Sequence, residues 1–190
     1  KNQEFDQDEP FKRFYAHGLI IKDGAKMSKS KGNVVVPDDY ISLYGSDTLR
    51  TYLMFLGPFD QGGDFRDTGI AGMYKWLSRV WRLSQVKGIK LKVKSSAEGL
   101  KIIHKTIKTV TEDLEKLRYN TAIAKLMEFT NWWMENPNQV TSEIIIDFLK
   151  LLAPFAPHMT EELYQLFKFK FDSIHLQPWP TYDLELISED

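Results

Sequence analysis

Apolar residues recur at steps of three and four along most of this chain after residue 66. The longest unbroken run comprises Leu100, Ile103, Ile107, Val110, Leu114 and Leu117. An α-helix has 3.6 residues per turn, so this spacing brings all six side chains to one face. The run therefore predicts a long amphipathic helix with Ile107 in its buried stripe.

The same period predicts further helices on both sides of this one. An earlier helix would have an apolar face formed by Ile70, Tyr74, Leu77 and Trp81. A later one would run from an Asn120 cap to about Met134, another would cover about 142–152, and the last would begin after Pro157. Four or five amphipathic helices with short links are typical of an antiparallel bundle.

The first 60 residues carry a different pattern. A short apolar run at 19–21 reaches Asp23 and Gly24, a pair that is typical of tight turns because both positions tolerate positive φ. A polar, lysine-rich loop follows the turn. This part of the chain therefore predicts a β-strand, a tight turn and an exposed loop.

Two short helices should follow the loop. Pro37 suits the first turn of a helix that would end at Gly45, and Ser46 would cap a second helix ending at Gly57-Pro58. The chain is thus predicted to be mainly α. Its predicted parts are a small α/β segment over 1–60, a connector at 61–66, an antiparallel α-helical bundle over 67–180 and a tail at 181–190.

Composition excludes several classes of protein and site. The chain has no cysteine, which excludes disulfides and thiolate zinc sites, and its four histidines are scattered in sequence, so no metal site is predicted. No apolar run approaches the roughly 20 residues that a membrane helix needs. The net charge is −1, so any nucleic-acid binding must come from local basic patches. The first residue is lysine, and we expect the chain to be an excised segment.

The loop after the tight turn is the strongest candidate for chemistry. Within seven residues it contains Lys26, Ser28, Lys29, Ser30, Lys31 and Gly32. Ammonium groups supply positive charge, hydroxyls supply hydrogen bonds, and a glycine allows close approach of the backbone to a ligand. From these residues alone, a triphosphate site and a solvated turn both remain open.

Longer stretches of sequence decide between the two. Residues 26–30, Lys-Met-Ser-Lys-Ser, are identical to the signature loop of class I aminoacyl-tRNA synthetases, and the following Lys-Gly-Asn also matches. Residues 44–50 also resemble that family, and the stretches at 76–83, 119–123, 152–163 and 174–180 resemble its leucyl branch. The similarity runs from about residue 9 to residue 183.

The resemblance implies roles for the loop residues. In the family, the second lysine of the loop, here Lys29, binds the departing pyrophosphate as an amino-acid carboxylate attacks the α-phosphate of ATP. Lys26 would hold the phosphates from the other side, Ser28 and Ser30 would shape the loop, and Met27 would anchor it. These five residues form the predicted ATP site. Magnesium on the phosphates is implied as well, although we see no dedicated carboxylate pair for it.

A role in tRNA binding is predicted for the helical half. Lys75, Arg79 and Arg82 share one helix face, and clustered cations of this kind can contact a phosphate backbone. Weaker candidates are Lys87, Lys90, Lys92, Lys94, Lys101, Lys105 and Lys108. A solvated helix face remains an alternative for each stripe. Trp132 and Trp133 could stack on bases, but we expect at least one of them in the core.

Taken with the resemblance, these features imply a segment of a larger enzyme that joins leucine to tRNA(Leu) through a leucyl-adenylate. We expect that enzyme to be monomeric and cytoplasmic, and we expect this segment to be inactive alone. Two alternatives stay open: a sister class I synthetase for valine, isoleucine or methionine, and a non-catalytic tRNA-binding module.

Overall fold

The computed structural model describes residues 11, 14–85, 95–167 and 172–187. Within these ranges the chain is mainly helical, as predicted, with one small sheet. The strands are β1 (Ile20–Lys22) and β2 (Gly63–Phe65). The helices are α1 (Pro37–Tyr44), α2 (Ser46–Phe55), α3 (Asp67–Ser84), α4 (Ala97–Glu115), α5 (Tyr119–Glu135), α6 (Ser142–Leu152) and α7 (Pro157–Phe167). No helix in these ranges is long and apolar enough to cross a membrane.

The two strands pair in parallel, with Ile20 opposite Gly63. The predicted tight turn follows β1, and both of its central residues, Asp23 (φ 51°) and Gly24 (φ 77°), have positive φ. Lys22 and Ala25 close this turn with N···O distances of 2.9 and 3.1 Å. Strand β2 lies inside the segment predicted to be a connector, so the loop and helices α1 and α2 form an excursion that begins and ends at one small sheet.

Helix α4 packs against α5 and α6. Its stripe of Ile103, Ile107 and Val110 is buried, and Ile107 has no exposed surface, which confirms the periodicity argument. The side chain of Ser96 caps the helix by accepting a hydrogen bond from the Gly99 N–H at 2.9 Å. Only three residues separate α4 from α5, and the two helices pack closely, so they run antiparallel.

The predicted apolar face of α3 was partly wrong. The buried residues of this helix are Ile70, Met73, Trp76, Leu77, Val80 and Ser84. Tyr74, which was predicted to face the core, is 46% exposed. Trp76 is buried because its indole N–H can donate to the buried Thr130 hydroxyl at 3.1 Å, which satisfies its polar atom inside the core.

Two predicted helix caps were also wrong. Ser46 and Asn120 lie inside the first turns of α2 and α5, and neither side chain caps a helix. A cap that was not predicted comes from Asp47 of α2, which serves α7 across the structure. Its carboxylate accepts the Met159 backbone N–H at 2.6 Å and contacts His158 Nδ1 at 2.8 Å.

Glu161 of α7 holds the segment that follows this helix. Its carboxylate accepts hydrogen bonds from the Ile174 N–H (2.9 Å) and the Ser173 hydroxyl (2.8 Å). Burial alone would raise the pKa of Glu161, but these bonds and one from Gln165 lower it overall. Glu161 therefore fastens the 3-10 turn at Ile174–Leu176 to the bundle.

Candidate functional site

The lysine-rich loop has a defined backbone path between β1 and α1. Ser28 is extended (φ −149°), and a 3-10 turn covers Lys29–Lys31. The Lys31 N–H donates to the Ser28 carbonyl at 3.1 Å, and the Gly32 N–H donates to the Lys29 carbonyl at 3.2 Å. Gly32 then reverses the chain at φ 66°, a left-handed conformation that favours glycine.

Asn33 holds the two arms of the loop together. Its Oδ1 accepts the Ser28 backbone N–H at 2.8 Å, and its Nδ2 donates to the Lys26 carbonyl at 3.2 Å. One side chain thus fixes the backbone on both sides of Met27. No role was predicted for Asn33, although it ends the Lys-Gly-Asn that follows the signature string.

The loop has an apolar inner side and a cationic outer side. Met27 is half-buried and packs against the hydrophobic core. Lys26, Lys29 and Lys31 are exposed, and none has an ion-pair partner among the described residues. The hydroxyls of Ser28 and Ser30 lie 2.8 Å apart. The loop can therefore present ammonium groups to a polyanion without first breaking an internal ion pair.

A network of charged and aromatic side chains joins the strand before the loop, β1, to the helix after it, α1, and to the start of α3. The Lys22 ammonium donates to Asp67 Oδ1 at 3.0 Å and to the Tyr40 hydroxyl at 3.2 Å, and that hydroxyl donates to Asp67 Oδ1 at 2.6 Å. Burial works against the charge on Lys22, but its hydrogen bonds to Asp67 and Tyr40 outweigh this and raise its pKa. The hydrogen bonds from Tyr40 and Lys22 lower the pKa of Asp67.

A second carboxylate fixes the turn that leads into the loop. Asp64 Oδ1 accepts the Gly24 backbone N–H at 3.0 Å, and Oδ2 pairs with Arg66 at 2.8 Å. The backbone bond from Gly24 and the bond from Arg66 lower the pKa of Asp64. Strand β2 and the start of α3 therefore hold both the entry to the loop, through Gly24, and its exit helix, through Tyr40.

The three predicted tRNA contacts lie along α3 as the spacing indicated. Lys75 and Arg82 are exposed, and Arg79 is half-buried with one terminal nitrogen 3.3 Å from Asn131 Oδ1. Of the weaker candidates, Lys101, Lys105 and Lys108 are partly buried on α4. Lys87, Lys90, Lys92 and Lys94 lie outside the described residues.

The tryptophans and histidines noted in the sequence take part in packing and hydrogen bonding within the fold. Trp133 is 2% exposed and Trp132 is half-buried, which confirms that at least one of the pair belongs to the core. His104 Nδ1 accepts the Asp183 backbone N–H at 2.9 Å. Among the described residues, no group of three or more histidines and carboxylates could hold a metal ion.

Two family models match separate parts of the chain. Residues 2–65 match the class I tRNA synthetases for isoleucine, leucine, methionine and valine. Residues 97–190 match the anticodon-binding domain of tRNA ligase. The first match contains the lysine-rich loop, and the second contains helices α4 to α7.

Individual proteins give the same assignment with greater detail. Leucine–tRNA ligases of Dehalococcoides mccartyi and Rubrobacter xylanophilus are 42% and 43% identical to 97% of this chain. The chain spans 24% and 23% of their lengths. A crystal structure of Agrobacterium radiobacter LeuRS in a ternary complex with tRNA and LeuAMS matches 96% of this chain and 26% of its own, with a TM-score of 0.81 and 30% identity. The chain therefore belongs to the class I tRNA synthetases and corresponds to a segment of their leucine–tRNA ligase branch.

Proposed function

We propose that this chain is the part of a leucine–tRNA ligase that stabilises the pyrophosphate of ATP and braces the tRNA. In the complete reaction, a carboxylate oxygen of leucine attacks the α-phosphorus of ATP. The bond from that phosphorus to the bridging oxygen breaks, and pyrophosphate leaves. A ribose hydroxyl of tRNA(Leu) then attacks the carbonyl carbon of the leucyl-adenylate, and AMP leaves.

The observation that carries this proposal is the architecture of the loop. Exposed Lys26 and Lys29 stand on a backbone that Asn33 clamps from both sides, and Met27 ties that backbone to the core. A preorganised cation needs little rearrangement when negative charge develops on a leaving group, so it lowers the barrier rather than only binding the substrate. We assign Lys29 to the departing pyrophosphate and Lys26 to the opposite side of the phosphates.

Among the described residues, no dedicated magnesium site is evident. The two acids in the networks around the loop, Asp64 and Asp67, already accept hydrogen bonds from Gly24 and Arg66 and from Lys22 and Tyr40. These residues do not fit a dedicated magnesium site. We therefore propose that any Mg²⁺ arrives on the phosphates of ATP.

The tRNA role rests on α3 and on the relatives. Lys75, Arg79 and Arg82 share a face, and the matching LeuRS structure contains tRNA. We propose phosphate contacts for these three residues, and a monomeric, cytoplasmic enzyme. The leucine assignment is favoured over valine, isoleucine or methionine because the relatives of 42–43% identity are leucine–tRNA ligases.

A matched pair of variants tests the role of Lys29. In a leucine–tRNA ligase that contains this segment, Lys29→Ala should slow leucine-dependent ATP–pyrophosphate exchange roughly a hundredfold or more, mainly in kcat. Lys31→Ala removes the same charge from the same loop and should have a milder effect. Equal losses in the two variants, or a change confined to the KM for ATP, would rule out the assigned role.

A further inference from the structure

A groove beside the predicted tRNA contacts has no role in the proposed activation chemistry. It has a volume of about 320 Å³ and lies where α1, α2, α3 and the start of α7 meet. Its walls include Tyr44, Asp47, Tyr74, Trp81, Arg82 and Met159. We call this cavity the aromatic groove.

The aromatic rings that line the groove are partly exposed to solvent. Tyr44 and Tyr74 have ring centroids 5.7 Å apart and planes inclined by 58°, so the rings form a wedge rather than a closed stack. Tyr74 is 46% exposed, and Trp81 is half-buried on the same helix. The exposed face of Tyr74 can therefore receive a further planar ring.

The charge around the groove favours an anionic ligand. Arg82 donates through Nε to the Ser78 carbonyl at 3.4 Å, and it has no acidic partner among the described residues. Lys75 and Arg79 lie on the same helix face. The one carboxylate in the walls, Asp47, is 13% exposed and already accepts the Met159 N–H and contacts His158.

We propose that the aromatic groove binds one unpaired nucleotide of the tRNA. Its base would stack against the exposed face of Tyr74, and Arg82 would contact its phosphate. Aromatic faces accept any base, so this contact should contribute affinity without reading the base identity. The inference rests on the tRNA role proposed above, and it adds a stacking contact to a surface otherwise assigned only phosphate contacts.

Binding of a tRNA(Leu) transcript to the full chain, measured by fluorescence anisotropy over a series of salt concentrations, tests the groove. Tyr74→Ala should weaken binding about tenfold, because stacking is lost, with an unchanged slope of log K against log salt. Tyr74→Phe keeps the ring and should bind within about twofold of the parent. Arg82→Gln should lower the slope by about one.

Tyr182→Ala provides the control, since Tyr182 is 37% exposed and does not line the groove. Circular dichroism would confirm that each variant is folded. Binding that is unaffected by Tyr74→Ala, or equally weakened by Tyr182→Ala, would overturn the groove assignment and leave the phosphate contacts intact. Absence of salt-dependent binding by the parent chain would overturn the tRNA role and the groove together. A photo-crosslinker at position 74 that reacts with protein rather than tRNA would identify a polypeptide occupant and overturn the proposal.

Discussion

The loop and the helical bundle are held together by different forces. No residue from Lys26 to Gly32 is buried. The loop keeps its shape through hydrogen bonds with the Asn33 side chain and through the networks centred on Asp64 and Asp67. In α4, by contrast, the stripe around Ile107 is packed without access to solvent. One region depends on directional polar bonds, and the other depends on burial.

Because of this difference, we expect the bundle to govern stability and the loop to govern reaction rate. Burial of apolar surface contributes a large, non-directional free energy, so the bundle can tolerate changes in the loop. Hydrogen bonds contribute less to stability, but they fix positions closely, which is what a charge-stabilising group requires. Changes in the bundle should therefore alter the free energy of unfolding, and changes in the loop should alter rates.

The largest expected effect is on stability. Ile107→Ala should reduce the free energy of unfolding by about 2–5 kcal/mol, because it removes buried methyl groups from a closely packed stripe. Chemical denaturation of the chain measures this loss. Lys29→Ala is the matched change in the loop and should stay within about 0.5 kcal/mol of the parent, since its side chain is exposed. Similar losses of unfolding free energy in Ile107→Ala and Lys29→Ala would contradict this difference between the bundle and the loop.

A smaller loss of stability should follow from removing the cap that links α2 to α7. Asp47→Ala leaves the Met159 N–H at the start of α7 without its acceptor, and it should cost about 1–2 kcal/mol in the same denaturation assay. Asp60→Ala removes an exposed carboxylate elsewhere and should be nearly neutral. An unchanged midpoint for Asp47→Ala would show that water replaces the cap.

Asn33→Ala tests whether the loop governs reaction rate rather than stability. It removes both clamps on the backbone around Met27. We expect ATP–pyrophosphate exchange to fall roughly fivefold through misplacement of Lys29, with little change in unfolding free energy. A larger loss of stability than of rate would show that the loop contributes to the fold.

The smallest effect concerns pH. The hydrogen bonds from Tyr40 and Lys22 lower the pKa of Asp67, so these contacts stabilise the fold above the unfolded pKa of about 3.9, and that stability is lost as pH falls through the lower folded value. Asp67→Asn should therefore lower Tm by about 1–2 °C at pH 7, and by less at pH 3. Thermal melts at the two pH values test this, and an equal difference at both would exclude the contacts of the Asp67 carboxylate with Tyr40 and Lys22 as the cause.

The parts of the structure that sequence could predict are those governed by nearby residues. The period of three and four gave the α4 stripe, and Pro37 and Gly45 marked the bounds of α1. Contacts between distant residues could not be predicted. The orientation of α3 depends on Thr130 accepting from Trp76, and the cap of α7 comes from Asp47. The exposure of the loop lysines followed from their type, whereas the clamp by Asn33 required the backbone path.

The parallel pairing of β1 with β2 has a consequence for the order of folding. Ile20 must find Gly63 across the whole excursion that carries the loop, whereas α4 and α5 are neighbours in sequence and meet through local contacts. Closing a long segment costs chain entropy before the new contacts can repay it. We therefore expect the helical half to form first in refolding and to act as a template. The lysine loop should then be among the last parts of the chain to acquire its native shape.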